Sequence, residues 1–391
     1  MDLNKEIKLS DLVRRPKKKP GASRNVRKSS AKRQRPKRQQ EIVGLKIGAS
    51  QLVASRVVNN GAPAKLVQLV RQPLDPGVVV GGEVRDVPAL ARALDQFFTQ
   101  EKLPRRGIRL GVGTNRIGVR SLDVEGIDDE RQLENAVRFR AHEALSIPMD
   151  EAVLDYHVVG ETVDELGGVS RRVVLAAAYR EPIDHFIEAC REARLELSGI
   201  DVEAFALLRA LAPGVEHDPD GPQVAVVALS LGHDRSTLAI SDGRVCDFMR
   251  VLDWGGAKLD AAIGRDLGLT LEEAADLKLG LTLDDDPEDE AEADPRRTRA
   301  RAAVVRELQN VARDVIASLQ FYQSQPGSLA ISEILVTGGT TCMPGLVEEL
   351  ERLTRVRTRV ADPLAGLQAQ ELLTPDDLAS SAVAIGLGVE V

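Results

Sequence analysis

Two short glycine turns are the part of this chain best suited to chemistry. Gly48-Ala49-Ser50 follows the β-branched segment Ile42–Ile47, and Gly232-His233-Asp234 begins 184 residues after Gly48. Glycine lets backbone N–H groups approach an anion closely, so two such turns facing each other could hold a phosphate group. The same glycines would also suit tight turns in any α/β fold, and a lone histidine such as His233 is more typical of a surface turn.

Each turn needs two antiparallel strands to position it. Ile42–Gly61 has β-branched residues on both arms and closes with Asn-Asn-Gly, which is typical of a β-hairpin. Val224–Gly243 repeats this pattern and closes with Ser-Asp-Gly. The repeat predicts two related halves, joined by a linker at residues 212–222, which are rich in proline, glycine and aspartate.

Predicted helices and strands alternate in both halves. Helices are predicted at Pro88–Glu101, Glu130–Leu145, Pro182–Arg194, Glu203–Leu211, Ala257–Leu267, Leu271–Lys278, Thr298–Gln325, Leu346–Leu353 and Leu378–Leu387. Further strands are predicted at Arg109–Gly113, Arg116–Val124, Ala152–Val159, Arg172–Ala178 and Glu333–Val336. Asp201 and Glu203 are predicted to cap the helix that begins near Ala204. The alternation favours an α/β architecture with sheets covered by helices.

The composition indicates a globular protein of more than one domain. At 391 residues, of which 43% are hydrophobic, the chain exceeds one ordinary core. No apolar run approaches the ~20 residues of a membrane-spanning helix, and the first residues do not resemble a signal peptide. Cys190, Cys246 and Cys342 lack metal-ligand spacing, which predicts buried, reduced thiols and no zinc site. We identify no catalytic residues, because no serine–histidine–aspartate or cysteine–histidine set has a recognisable spacing.

The charge is distributed very unevenly. Residues 1–40 carry a net charge of +12, so the other 351 residues carry −20 of the total of −8. This arm is predicted to be a disordered tail, or a docking segment with a polybasic patch for an anionic membrane surface or a protein partner. Nucleic acid is a less favoured partner, because the arm has no aromatic residues to stack on bases. Residues 284–294 are predicted to be an acidic, disordered surface loop.

Several strings of residues resemble one protein family. They are Ser146-Ile147-Pro148, Asp150–Tyr156, Gly199–Leu207, Gly255-Gly256, Leu267-Gly268-Leu269 leading to Lys278, Ser318–Tyr322, Val336–Gly339 and Met343–Leu346. Together they resemble the PilM family of type IV pilus assembly proteins, which are cytoplasmic relatives of FtsA on the actin-like fold. The resemblance covers roughly Glu41 to Val391, and the tail lies outside it.

The resemblance implies an actin-like (FtsA/PilM-type) α/β fold of two lobes, with a small subdomain inserted in the first lobe. The implied bounds are 41–82, 161–212 and 375–391 for the first-lobe core, 83–160 for the insertion, 213–257 and 305–374 for the second-lobe core, and 258–304 for a second-lobe small subdomain with the acidic loop. The insertion and the first-lobe core would form a groove with an apolar surface.

The resemblance also implies a nucleotide site. Its residues here would be Lys46, Gly48, Ala49, Ser50, Gly232, His233, Gly255, Gly256, Lys278, Gly338, Gly339 and Thr340. Members of this fold carry an aspartate where this chain has Lys46, another where it has Ser230, and a ribose-binding glutamate where it has Ala275. A lysine ammonium cannot ligate magnesium, so no metal site is predicted.

Three interpretations of that site remain open from the sequence. Lys46 could pair with phosphates directly, so that ATP is a structural ligand bound without magnesium and is not hydrolysed. Lys46 could instead fill the cleft or pair with a carboxylate such as Asp234, so that no nucleotide binds. Residual magnesium-dependent hydrolysis is the third.

For function, the resemblance implies a cytoplasmic scaffold at the inner membrane. Its groove would bind the N-terminal peptide of a PilN-like membrane protein, and other pilus platform or motor proteins would be further partners. An active actin-like ATPase and an FtsA-like membrane-associated filament protein are the alternatives. The sequence leaves open whether the chain forms homo-oligomers.

Overall fold

The computed structural model of the protein describes residues 40–60, 63–127, 129–144, 147–148, 150–163, 169–214, 223–243, 245–284, 294–369 and 373–390. The predicted basic tail before residue 40, residues 215–222 of the predicted linker and residues 285–293 of the acidic loop lie outside this range. Every helix predicted from the sequence is found in the described part, with bounds that differ by at most a few residues.

The first half of the chain builds a six-stranded sheet. Its strands are β1 (Gln40–Ile47), β2 (Gln51–Asn59), β3 (Ala64–Pro73), β6 (Arg106–Val112), β10 (Glu196–Val202) and β16 (Leu367–Ala369). They lie in the order β10-β6-β1-β2-β3-β16. The predicted hairpin is confirmed, since β1 and β2 pair antiparallel with Ile47 opposite Leu52. On its other side β1 pairs in parallel with β6.

The second half repeats this arrangement in a five-stranded sheet. Its strands are β11 (Val224–Leu231), β12 (Ser236–Ser241), β13 (Cys246–Leu252), β14 (Ala330–Thr337) and β15 (Thr358–Val360), in the order β13-β12-β11-β14-β15. The second predicted hairpin is also confirmed, with Leu231 opposite Ser236. Like β1, strand β11 has an antiparallel neighbour in its own hairpin and a parallel neighbour on the other side.

A three-stranded antiparallel sheet forms a separate unit. It contains β7 (Ile117–Glu125), β8 (Ala152–Val163) and β9 (Val169–Tyr179), in the order β7-β9-β8, and the two remaining short strands β4 (Val79–Val80) and β5 (Glu83–Val84) pair with each other. The bounds 83–160 implied for the insertion differ from this unit, because β6 belongs to the six-stranded sheet and β9 to the small one. The physical reason is hydrogen bonding: β6 fills the gap between β1 and β10, and β9 pairs on both edges.

Nine helices in the described residues cover the sheets. They are α1 (Val87–Gln100), α2 (Glu130–Ala144), α3 (Arg180–Glu192), α4 (Glu203–Leu211), α5 (Gly256–Leu267), α6 (Leu271–Leu279), α7 (Pro295–Gln323), α8 (Leu346–Thr354) and α9 (Pro375–Gly388). Helices α1 and α3 share a core with one face of the six-stranded sheet. Helices α5, α7 and α8 share a core with the five-stranded sheet, and this core includes Trp254.

Helices α4 and α9 lie between the two large sheets. Their apolar residues share one core with residues of β11 and β14, while α9 also lies against β1 and β2. The approach to β1 is close enough to require glycine, because a Cβ on Gly44 would lie 2.1 Å from the carbonyl oxygen of Ala384. The Ser55 hydroxyl donates to the same carbonyl at 2.7 Å. The two helices therefore join the two large sheets that carry the hairpins.

Candidate functional site

A cleft of about 430 Å³ lies where the two hairpin turns face each other. Eleven of the twelve residues predicted for the nucleotide site line it. They are Lys46, Gly48, Ala49, Ser50, Gly232, His233, Gly256, Lys278, Gly338, Gly339 and Thr340. Gly255 does not line the cleft. The structure therefore brings together residues that are up to 294 positions apart in the chain.

The first hairpin contributes a closed turn and a lysine. The amide of Gly48 donates to the carbonyl of Gln51 at 2.9 Å, which closes the turn. Lys46 precedes the turn on β1, opposite Gly111 of β6, and its side chain is half-buried at the cleft wall. Within the described part of the chain, the Lys46 side chain forms no hydrogen bond or ion pair. The predicted pairing of Lys46 with Asp234 is therefore not found, and Asp234 instead accepts a hydrogen bond from the amide of Gly81 at 2.9 Å.

The second hairpin turn is held against the start of helix α5. The amides of Gly256 and Ala257 donate to the carbonyls of Gly232 and His233 at 2.9 and 2.8 Å. Gly255 makes this approach feasible, because a Cβ there would lie 2.3 Å from the carbonyl oxygen of His233. Gly255 therefore allows the second turn to pack closely on α5, although it does not itself line the cleft. The side chain of His233 is exposed.

The turn after β14 completes this wall of the cleft. Gly338 has φ +105°, and a Cβ there would lie 2.1 Å from the carbonyl oxygen of Leu231, so only glycine fits. The Thr340 hydroxyl donates to the carbonyl of Gly232 at 3.1 Å. Gly339, by contrast, has open space around it. These contacts join two separate loops into one rigid wall.

Lys278 is occupied by a partner on the neighbouring helix. Its Nζ lies 2.6 Å from Oδ1 of Asp260, which is only 7% exposed, and 3.3 Å from the carbonyl oxygen of Gly256. Lys278 therefore fastens α6 to α5 beside the cleft. Its role as a nucleotide contact stays a prediction.

Sequence reasoning missed several charged residues of the cleft. Arg71, Glu203, Arg235 and Asp376 all line it. Arg71, on β3, pairs at 3.0 Å with Asp376 and at 2.8 Å with Asp377 at the start of α9. No sequence signal pointed to these residues, because they come from four segments that are adjacent only in the folded chain.

The prediction that Asp201 and Glu203 cap helix α4 is wrong. The N-terminal boundary of α4 falls at Val202, with no side-chain capping hydrogen bond. Asp201 accepts a hydrogen bond from the amide of Val202 and pairs with Arg209 of the same helix. The Glu203 side chain instead reaches the cleft, where its Oε2 would lie 2.6 Å from a Cβ on Gly113.

Cys342 lies at the rim of the cleft and is exposed, so the prediction that all three cysteines are buried is wrong for it. Its Sγ lies 3.2 Å from Oδ1 of Asp376. Partial burial and this carboxylate raise the pKa of the Cys342 thiol to about 11. The thiol is therefore protonated near neutral pH, which makes it a poor nucleophile.

The cleft does not fit a magnesium ion. Neither Lys46 nor Ser230 provides the carboxylate oxygen that this ion prefers, and the Lys46 ammonium would repel it. Of the carboxylates that line the cleft, Asp234 and Asp376 are already engaged by Gly81 and Arg71. Throughout the described ranges, no group of three or more histidine, cysteine, aspartate or glutamate side chains is placed to hold a metal ion.

A second cavity of about 410 Å³ lies beside the three-stranded unit, where β5, the loop before β7 and the start of α3 meet. It is lined by Glu83, Val84, Arg85, Arg116, Glu181, Pro182 and His185. Glu83 pairs with Arg85 at 3.3 Å and with Arg116 at 3.6 Å. The guanidinium of Arg116 also stacks over the ring of Tyr179, 4.9 Å from its centroid. The surface of this cavity is mainly charged. The apolar groove that the resemblance implied stays a prediction.

Comparison with known families identifies the relatives of this chain. Residues 44–390 match the family model described as type IV pilus assembly protein PilM. The chain belongs to the PilM family. Within the described part of this family member, no helix is both long enough and apolar enough to span a bilayer.

Solved structures confirm the actin-like fold of this PilM-family chain. A structure described as the PilM–PilN type IV pilus biogenesis complex is 24% identical, with a TM-score of 0.73 over 89% of this chain and 97% of that one. The ethanolamine utilization protein EutJ from Carboxydothermus hydrogenoformans is 14% identical, with a TM-score of 0.52 over 90% of each chain. MreB5 of Spiroplasma citri bound to AMPPNP is 14% identical, with a TM-score of 0.51 over 90% of this chain and 95% of that one.

Proposed function

We propose that this chain is a cytoplasmic scaffold of a type IV pilus platform that binds the N-terminal peptide of a PilN-like membrane protein and does not hydrolyse ATP. The observation that carries the proposal is the match to the PilM family over residues 44–390. The likeness to a protein solved as a PilM–PilN complex supports the choice of partner. The charge pattern of the cleft supports the absence of hydrolysis.

The cavity beside the three-stranded unit is our candidate for the peptide site. One side of this cavity is formed by β5 and the start of α3. The other side is formed by Arg116, which directly precedes strand β7 of the three-stranded sheet. Its arginines and glutamates already pair with each other, so a peptide would exchange these pairs for contacts of its own. A site built from charged groups favours specificity and a fast association rate over raw affinity.

A binding assay with a charge reversal tests the peptide site. Arg85 is suited to this, because its side chain is 58% exposed and a change there does not disturb the core. We expect Arg85→Glu to weaken binding of a fluorescent PilN-like N-terminal peptide by about tenfold, measured by anisotropy. Arg138→Glu is the matched control, because Arg138 is 60% exposed on α2 and does not line the cavity. Equal affinities of the two variants would place the peptide elsewhere, and no binding to the unmodified chain would refute the choice of partner.

The alternative of an active ATPase is tested by phosphate release. Catalysis by this fold needs a metal ion held by carboxylates, whereas the two hairpins carry Lys46 and Ser230. We expect no magnesium-dependent turnover above the buffer rate. Turnover in the unmodified chain, lost on addition of EDTA, would contradict the scaffold proposal.

A further inference from the structure

Building on the proposed function, we infer that Asp234 and Arg235 of the second half position the short hairpin β4–β5 of the first half, and thereby set how tightly the candidate peptide cavity binds its ligand. Neither residue lines that cavity, which is the one beside the three-stranded unit. Both act on it through the hairpin, so they are positioning residues for the peptide.

Hairpin β4–β5 belongs to the first half and has a tight glycine tip. Val80 pairs with Glu83, so the tip consists of Gly81 and Gly82 alone. Both glycines have positive φ, +66° and +67°, as in the two-residue turns that join antiparallel strands most tightly. Val84 lies in the core beneath the six-stranded sheet, which fixes the base of the hairpin.

The second half holds this glycine tip. Oδ2 of Asp234 accepts a hydrogen bond from the amide of Gly81 at 2.9 Å, between residues 153 positions apart. The Arg235 guanidinium packs on the same turn, because a Cβ on Gly81 would lie 2.6 Å from its Nη2 and one on Gly82 would lie 3.0 Å from its Nη1. The side chain of Arg235 is only 13% exposed, so this contact is largely shielded from water.

The residue after the tip forms part of the cavity wall. The side chain of Glu83 is 17% exposed and pairs with Arg85 at 3.3 Å and with Arg116 at 3.6 Å, and all three residues line the cavity. Gly82 also packs on the loop that leads to Arg116, because a Cβ on it would lie 2.4 Å from the carbonyl oxygen of Gly113. A shift of the tip therefore moves the Glu83 carboxylate relative to the arginines that it pairs with.

Arg116 extends these contacts to the opposite wall. Its carbonyl accepts a hydrogen bond from the amide of Tyr179 at 3.2 Å, and its guanidinium stacks over the ring of the same tyrosine. Tyr179 directly precedes α3, which contributes Glu181 and His185 to the cavity. Contacts therefore run continuously from Asp234 of the second half to the far side of the cavity.

The contact at the tip is of a kind that can be released. It contains one charge-assisted hydrogen bond from Gly81 to Asp234. Within the part of the chain that the structure describes, Nε and Nη1 of Arg235 have no hydrogen-bond partner, and buried donors left without acceptors are costly. The docked hairpin is therefore only modestly favoured over a released one. A peptide that requires the docked hairpin binds more weakly in proportion to the docked fraction.

Hydrogen exchange measured by mass spectrometry tests the effect on the hairpin. Asp234→Ala removes the acceptor of the Gly81 amide, so we expect residues 78–85 to exchange about tenfold faster. Exchange in helix α7 should stay unchanged, which separates release of the hairpin from a general loss of stability. Arg235→Ala uncovers the hydrogen bond and should act in the same direction by a smaller factor. Asp234→Asn keeps an acceptor oxygen and should recover most of the protection.

Binding kinetics of the fluorescent PilN-like peptide test the effect on the cavity. In Asp234→Ala we expect affinity to fall about fivefold through slower association, with an unchanged dissociation rate, because the bound hairpin is docked in both proteins. His233→Ala is the matched control, because His233 lies in the same turn and its side chain is exposed. Since coupling between two sites is reciprocal, bound peptide should also slow exchange of residues 78–85 in the unmodified chain.

The outcomes distinguish this inference from the proposed function. Faster exchange confined to residues 78–85, together with slower association, would support it. Equal exchange and equal affinity in Asp234→Ala and His233→Ala would overturn it and leave the peptide site in place. Faster dissociation with unchanged exchange would also overturn it, because Asp234 would then contact the peptide directly. Absence of peptide binding to the unmodified chain would refute the proposed function together with this inference.

Discussion

Loss of the Lys278 ammonium is predicted to destabilise the second half of the chain. In Lys278→Met, Asp260 would keep its charge at a site only 7% exposed and lose the nitrogen 2.6 Å away. Removal of one partner from a buried ion pair costs about 3–5 kcal/mol, and since the Lys278 side chain is 20% exposed we expect about 2–3 kcal/mol. For a cooperative unit of roughly 150–250 residues this corresponds to a melting temperature lower by about 5–10 °C.

Calorimetric melting of three variants measures this effect. Lys258→Met is the matched control, because Lys258 lies on the same helix as Asp260, is exposed and should melt like the unmodified chain. Asp260→Asn combined with Lys278→Met removes both charges and should recover more than half of the loss. If Lys278→Met melted like the control, or the double variant were as unstable as the single one, the ion pair would not be what fastens α6 to α5.

Three further outcomes are expected. Gly386→Ala should lower the melting temperature strongly, because its Cβ would lie 1.8 Å from the carbonyl oxygen of Ala206, whereas Gly160→Ala, with only ordinary contact at 3.9 Å, should not. Burial, and to a lesser extent a nearby aspartate, raise the pKa of Asp247 to about 6. The protein therefore loses folding stability as pH rises through that value, because the buried carboxyl group ionises. Asp247→Asn should raise the melting temperature at pH 8, and this gain should shrink towards pH 4. Glu203→Gln should strengthen ATP binding by about threefold or more, measured by calorimetry, because it removes the carboxylate that opposes the phosphates. Equal melting temperatures of Gly386→Ala and Gly160→Ala would contradict the first prediction. A gain in melting temperature of Asp247→Asn that did not change with pH would contradict the second, and weaker ATP binding by Glu203→Gln would contradict the third.

Local patterns in the sequence were sufficient for the helices, the two hairpins and the glycine turns, but strands β3, β10, β13 and the short strands were not predicted. Hairpin β1–β2 follows from β-branched arms around a glycine turn, and its register of Ile47 opposite Leu52 is what a short turn requires. The helix bounds follow from apolar periodicity, as in α4, which begins at Glu203 and ends at Leu211 as predicted. These features depend on residues that are neighbours in the chain.

Contacts between distant segments could not be predicted in this way. Strand β6 falls within the bounds 83–160 that the family resemblance implied for the insertion, whereas its pairing with β1 makes it part of the main sheet. Glu203 has the type and position of a helix cap, and only the fold shows that its side chain reaches the cleft. Arg235 belongs to no recognisable sequence motif, because its surroundings are set by the Gly81-Gly82 turn about 150 residues earlier in the chain.

The position of helix α9 has a consequence for how the chain folds during synthesis. The hydrogen bond from Ser55 to Ala384 joins residues 329 positions apart, so β1 and β2 emerge from the ribosome long before the helix that covers them. At about 5–20 residues per second, the apolar face of this hairpin waits roughly 15–65 s for α9. Contacts of such high sequence separation also slow folding itself. We expect the first sheet to need protection from aggregation in this interval, and chaperone binding to nascent chains that end before Pro375 would reveal it.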